Sequence, residues 1–155
     1  MPQMNKGGKF IFGKSLIRDG GTIQFPEQAI KEYDIASEGK IYLVTGSKKT
    51  GGFCVTRKGL LATSKLGHIL SDNPQLRDYT SKEGAFIKYK GRGYTWVKIN
   101  EEGKIFLSDE VMQYLKLKKD MKLLSIRSSD IAFTMGAYGP LLEESLKHDS
   151  EIKVY

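Results

Sequence analysis

The sequence predicts a mainly β chain with short helices, written as two tandem copies of one unit. Two observations carry this. Gly21–Ile30 reads GTIQFPEQAI and Gly103–Met112 reads GKIFLSDEVM: each is a glycine, an alternating apolar run, a proline or serine, an acid, and the start of a helical pattern. The correspondence holds without a gap at an offset of 82 from Gly21 to Ser47, pairing Ile23 with Ile105, Phe25 with Leu107, Tyr33 with Leu115, Ile41 with Leu123 and Val44 with Ile126. After a two-residue slip it resumes at an offset of 80, pairing Phe53 with Phe133, Gly59 with Gly139, Leu66 with Leu146 and His68 with His148. Two blocks in the same order at nearly the same offset mark a duplication.

Each unit opens on a strand, Phe10–Arg18 in the first and Tyr94–Asn100 in the second. The alternation of Thr22–Phe25 and Lys104–Leu107 puts Ile23/Phe25 and Ile105/Leu107 on one face, the mark of a half-buried strand. Pro26 suits the first turn of a helix and Ser108 can cap one. Glu27, and then Asp109 and Glu110, follow where the positive end of a helix favours acids. Ala29, Ile30 and Tyr33 share a helical face, as do Val111, Met112 and Leu115. Strands Lys40–Thr45 and Lys122–Arg127 come next, with return strands Gly52–Thr56 and Ile131–Met135. A short helical pattern closes each unit, LLATSKLGHIL and LLEESLKHD. Between the units, Ser71–Lys82 reads as a polar connector, and Phe86–Lys90 with Tyr94–Ile99 as a hairpin about Gly91-Arg92-Gly93. The expected domains are a first repeat over 9–68, a connector over 69–85 and a second repeat over 86–150.

The chain has 155 residues, enough to bury a core without disulfide or metal. Its one cysteine, Cys54, excludes an internal disulfide. No apolar run approaches the roughly 20 residues of a membrane helix, and the basic N-terminus lacks the apolar core of a signal peptide. The expectation is a cytoplasmic protein with no membrane partner. Net charge is +7, which favours a polyanion. The charge is uneven: residues 48–65 hold Lys48, Lys49, Arg57, Lys58 and Lys65 with no acid, whereas 99–114 hold Glu101, Glu102, Asp109 and Glu110 against Lys104.

Few residues point to chemistry. His68 and His148 occupy equivalent positions, but a metal site needs more ligands than they and one thiol supply. Gly46–Gly52, GSKKTGG, has Gly52 where a phosphate loop demands lysine, so it reads as a basic hairpin tip. Lys90–Gly93 beside Tyr89, Tyr94 and Trp96 mixes basic and aromatic residues as single-strand binders do, a pattern that cross-strand pairs also produce. No nucleophile–base set stands out. The expectation is no enzyme, no catalytic residue, no metal and no cofactor.

The unit G-x-I-x-apolar-P, short helix, then glycine or aspartate before an alternating strand resembles the AbrB/SpoVT (MazE-like) swapped-hairpin family of prokaryotes, in a branch with two copies per chain. The carrying residues are Gly21-Thr22-Ile23-Gln24-Phe25-Pro26 with Glu38-Gly39-Lys40-Ile41, and Gly103-Lys104-Ile105-Phe106-Leu107-Ser108 with Asp120-Met121-Lys122-Leu123. The resemblance implies a swapped-hairpin β-barrel that two tandem repeats close as an intramolecular pseudo-dimer. It also implies a DNA-binding transcriptional regulator, further assembled as a homo-dimer or higher oligomer, that meets double-stranded DNA mainly through phosphate contacts. The positions implied for DNA are Lys14, Arg18, Lys31, Lys98 and Lys104. Thr22 stands in the first copy where Lys104 stands in the second, and Glu101-Glu102 would repel phosphate. These residues favour the alternative, a non-DNA module for assembly or for sensing a small molecule or protein.

Overall fold

The computed structural model describes residues 3–4, 10–139, 142 and 152–155. The chain is mainly β with short helices. Its strands are β1 (Gln3–Met4), β2 (Phe10–Leu16), β3 (Thr22–Gln24), β4 (Lys40–Thr45), β5 (Phe53–Thr56), β6 (Ile87–Tyr89), β7 (Arg92–Lys98), β8 (Lys104–Phe106), β9 (Lys122–Arg127) and β10 (Phe133–Gly136). The helices are α1 (Glu27–Tyr33), α2 (Lys58–Leu61), α3 (His68–Ser71), α4 (Pro74–Arg77) and α5 (Asp109–Tyr114). Strands β2, β3 and β4 and helix α1 begin 82 residues before β7, β8, β9 and α5, and β5 begins 80 before β10. The closing helix expected over LLEESLKHD, and with it His148, lies outside the described residues apart from Leu142.

Eight strands form one sheet in the order β1-β2-β9-β10-β5-β4-β7-β6, and β3 pairs with β8 in a separate ribbon. Each half supplies a hairpin, β4–β5 or β9–β10, and sends its first strand to the other half: β2 pairs with β9, and β7 with β4. Bonds at the strand ends repeat this exchange. Phe25 N–H donates to Gly103 O at 3.0 Å and Leu107 N–H to Gly21 O at 2.9 Å; Ile17 N–H donates to Met121 O and Ile99 N–H to Gly39 O. These pairs interconvert under the offset of 82.

Gly21 shows why the ribbon demands glycine. Its φ is 76°, and a Cβ there would collide with the Leu107 carbonyl oxygen. The main core lies between the sheet, the ribbon and the two helices, and draws on both halves, with Phe25 and Leu107, Tyr33 and Leu115, Phe53 and Phe133 buried together.

Two expectations are corrected. The sheet does not close into a barrel among the described residues; β1 and β6 are its edges, and the ribbon stands apart. The hairpin before β7 turns on Lys90-Gly91, both with positive φ, leaving Gly93 inside the strand. The two-residue turn matches the strand twist, which Lys90 tolerates with Gly91 following. The connector also packs on the sheet. Leu70 and Leu76 bury against Tyr42 and Trp96 on the far face of the sheet, and Trp96 Nε1–H donates to Ser81 O at 2.9 Å.

Candidate nucleic-acid interface

Each half presents the same tight turn between its first strand and the ribbon. Arg18 N–H donates to Thr22 O and Gly21 N–H to Arg18 O; 82 residues on, Asn100 N–H donates to Lys104 O and Gly103 N–H to Asn100 O. In the second turn Asn100 Oδ1 also accepts from Glu102 N–H at 3.0 Å and Lys104 N–H at 2.8 Å. The Gln24 side chain donates to Glu102 O at 2.7 Å, and Ile30 of α1 packs over Gly103, so this helix sits against the second turn.

The positions implied for DNA scatter over this scaffold. Lys14 is corrected: it is fully buried, so phosphate cannot reach its ammonium. The cause is local. The register of β2 shifts at Gly13, and its outer edge is covered by the C-terminal residues, with Lys14 N–H donating to Lys153 O and Tyr155 N–H to Lys14 O. Arg18 is exposed in the first turn. Lys31 is exposed on α1 and forms an i,i+4 pair with Glu27 at 3.0 Å. Lys104 is half-buried, opposite Gln24 in the ribbon and beside the exposed Glu101 and Glu102. Thr22, at the equivalent position, lies opposite Phe106, which is 61% exposed.

Lys98 is exposed at the end of β7, and its backbone N–H donates to the Glu83 carboxylate at 2.8 Å. The register sets it opposite Lys40. Paired residues share a face, so the two ammonium stems leave the sheet together. Lys40 Nζ lies 4.9 Å from the Tyr79 ring centre and 5.9 Å from that of Trp96, and Lys58 Nζ lies 4.2 Å from Tyr79. Lys40 and Lys58 are therefore gathered around one aromatic pair, with Lys98 beside Lys40 on the same face of the sheet. Lys40 was missed by sequence reasoning; the signal that finds it is the cross-strand register, which no single-strand pattern contains. Arg57 is occupied elsewhere, bonding Glu38 at 2.8 Å and Tyr33 O at 2.9 Å.

Phenols mark the wet and dry parts. Burial, with Glu32 adding to it, pushes Tyr33 up to about 12 while its hydroxyl donates to Ser129 O at 2.6 Å. Burial also raises Tyr42. Tyr89 is pushed up to about 12 mainly because its hydroxyl donates to Asp72, at 2.5 Å. The same phenol oxygen lies 3.0 Å from His68 Nδ1, which ties β6 to α3. Among the described residues no group of three His, Cys, Asp or Glu is arranged to hold a metal ion, and no helix is long and apolar enough to cross a membrane. No family model matches the chain, and no curated protein matches it.

Proposed function

We propose that the chain is a cytoplasmic DNA-binding regulator of transcription of the swapped-hairpin AbrB/SpoVT type, with its two repeats interlocked as a pseudo-dimer in one chain. The observation that carries this reading is the exchange of first strands, β2 to β9 and β7 to β4, under one sequence offset. A family whose units normally interlock between subunits would produce this pairing on duplication. Exposed Arg18, Lys31 and Lys98, with Lys40, Lys58 and Lys104, supply cations for the phosphate backbone. Phosphate contacts position such a protein, and base readout adds to them.

The test is fluorescence anisotropy with random and genomic duplexes across a salt series. If about six phosphates are neutralised, affinity falls roughly a thousandfold between about 50 and 200 mM salt. Absence of duplex binding at the low-salt end defeats the reading. A second reading, an assembly or sensing module, is favoured by the burial of Lys14 and the exposed Glu101-Glu102 turn. It predicts no duplex binding at any salt.

A further inference from the structure

The tip of the β6–β7 hairpin holds a cleft of about 370 Å³ lined by Thr45, Lys88, Lys90, Arg92, Gly93 and Tyr114, among others. We propose that this cleft binds a phosphate monoester of a small organic molecule, with Lys88 and the Thr45 and Tyr114 hydroxyls as its first contacts.

The lining offers donors and cations without a carboxylate to answer them. Lys88 and Arg92 form no ion pair among the described residues. The hairpin register sets Lys88 opposite Gly93, and Gly93 N–H donates to Thr45 Oγ1 at 3.1 Å. That bond uses the Thr45 oxygen as acceptor and leaves its hydrogen free to donate. Tyr114 stands over Gly93, where any side chain would push it away. Its ring stacks on Phe86 at 3.9 Å with planes 5° apart, and its hydroxyl has no partner among the described residues. The phenol is thus held in place with its donor unspent. The nearby Asp72 carboxylate accepts the Tyr89 hydroxyl and does not line the cleft.

An anion is the only charge such a lining can complement. Clustered cations favour a dianion over a carboxylate. The volume falls in the range of small-molecule sites, roughly 300–1,000 Å³, and leaves room for the organic part of an ester. Tyr114, backed by the Phe86 ring stacked on it, walls one side, which suits a terminal phosphate better than a chain running through. The site is also separate from the proposed DNA contacts: Lys98 lies at the other end of β7, roughly 20 Å away for six residues of strand. The proposal therefore stands whether or not the chain binds DNA.

The experiment titrates the full chain with phenyl phosphate, inorganic phosphate or a short duplex at fixed ionic strength, reading the backbone amides of Gly91 and Gly93 by NMR. Phenyl phosphate is expected to give saturable shifts, with inorganic phosphate weaker. Lys88→Gln and Tyr114→Phe should each weaken phenyl phosphate roughly ten- to a hundredfold, the loss of one hydrogen bond to a charged group. Lys88→Arg should keep binding, and Lys98→Glu with Lys104→Glu should leave it unchanged. Shifts that do not saturate, or that are the same in Lys88→Gln, overturn the proposal. So does a Lys88→Gln variant that loses duplex affinity while phenyl phosphate gives no shift, since the cleft is then a backbone contact.

Discussion

At the scale of single residues, Gly13 decides what Lys14 can do. Its φ of 150° and the register shift beside it break the alternation of β2, and Tyr155 packs where its side chain would be. Lys14 is therefore set opposite Leu124, on the face away from the main core, and is buried where the C-terminal residues run along β2, so the proposed DNA contact is left to the cations that stay exposed. Changing both Lys98 and Lys104 to Glu should weaken duplex binding greatly at fixed salt, since two attractions become repulsions. Lys98 is exposed, and its variant should change stability by less than about 0.5 kcal/mol; half-buried Lys104 makes the thermal melt of the double variant a necessary control. Equal affinity in parent and variant would move the contact to the Lys48–Lys65 tract. Tyr33 makes a second prediction. Its folded value of about 12 exceeds the unfolded phenol's, about 10. A raised value means that the folded state holds the proton more tightly. The stabilisation is therefore complete below about pH 10 and is lost as pH rises through about 12, up to about 3 kcal/mol in all. Urea midpoints should fall over that window, and fall less in Tyr33→Phe; an equal fall in both would remove Tyr33 from the account.

At the scale of elements, the two repeats solve the start of their helix differently. Ser108 Oγ accepts the Val111 N–H at 3.2 Å, whereas Pro26 at the matching position offers no side-chain cap. Ser108→Ala should cost about 1 kcal/mol, read as a lower urea midpoint with unchanged slope, and Ser108→Asp should recover it. A neutral Ser108→Ala would mean that packing alone holds α5. Elements of this kind were legible because each carries its own signal: alternation at Ile23/Phe25 and Ile105/Leu107, acids after Pro26 and Ser108, and strands at Lys40 and Lys122 reproduced to the residue. What stayed hidden depends on partners distant in sequence. Leu76 stands alone in the polar connector and gives no periodicity, yet with Leu70 it covers the face around Tyr42 and Trp96. The pairing of Lys40 with Lys98 arises from the register between halves. Open edges in place of a closed ring follow from how β1 and β6 end the sheet, and β6 is only three residues long with Lys88 exposed at its centre, a composition that resists further strand addition.

At the scale of the whole molecule, the exchange of strands means that neither half possesses its own sheet. Residues 1–82 keep β4–β5 but lose β7 from β4 and β10 from β5; residues 83–155 keep β9–β10 but lose β2 from β9. The ribbon loses one of its two strands in either piece. Each fragment would expose strand edges and the apolar faces of Phe53 or Phe133, which are fully buried in the intact chain. An isolated hairpin is marginal in water, and three or more strands over a common core are needed for stability. Cutting between the exposed Lys82 and Glu83 severs no strand or helix. The separate fragments are therefore expected to show no cooperative melt as monomers, or else to self-associate by making the same exchange between copies. Mixed in equal amounts, they should form a one-to-one complex with a cooperative transition that rises with concentration, because assembly has become bimolecular. Circular dichroism melts with sedimentation equilibrium would measure both. A fragment that melts cooperatively at monomer mass would show that its half closes a core without the other. The interlock would then be a docking of two finished domains rather than the condition for folding.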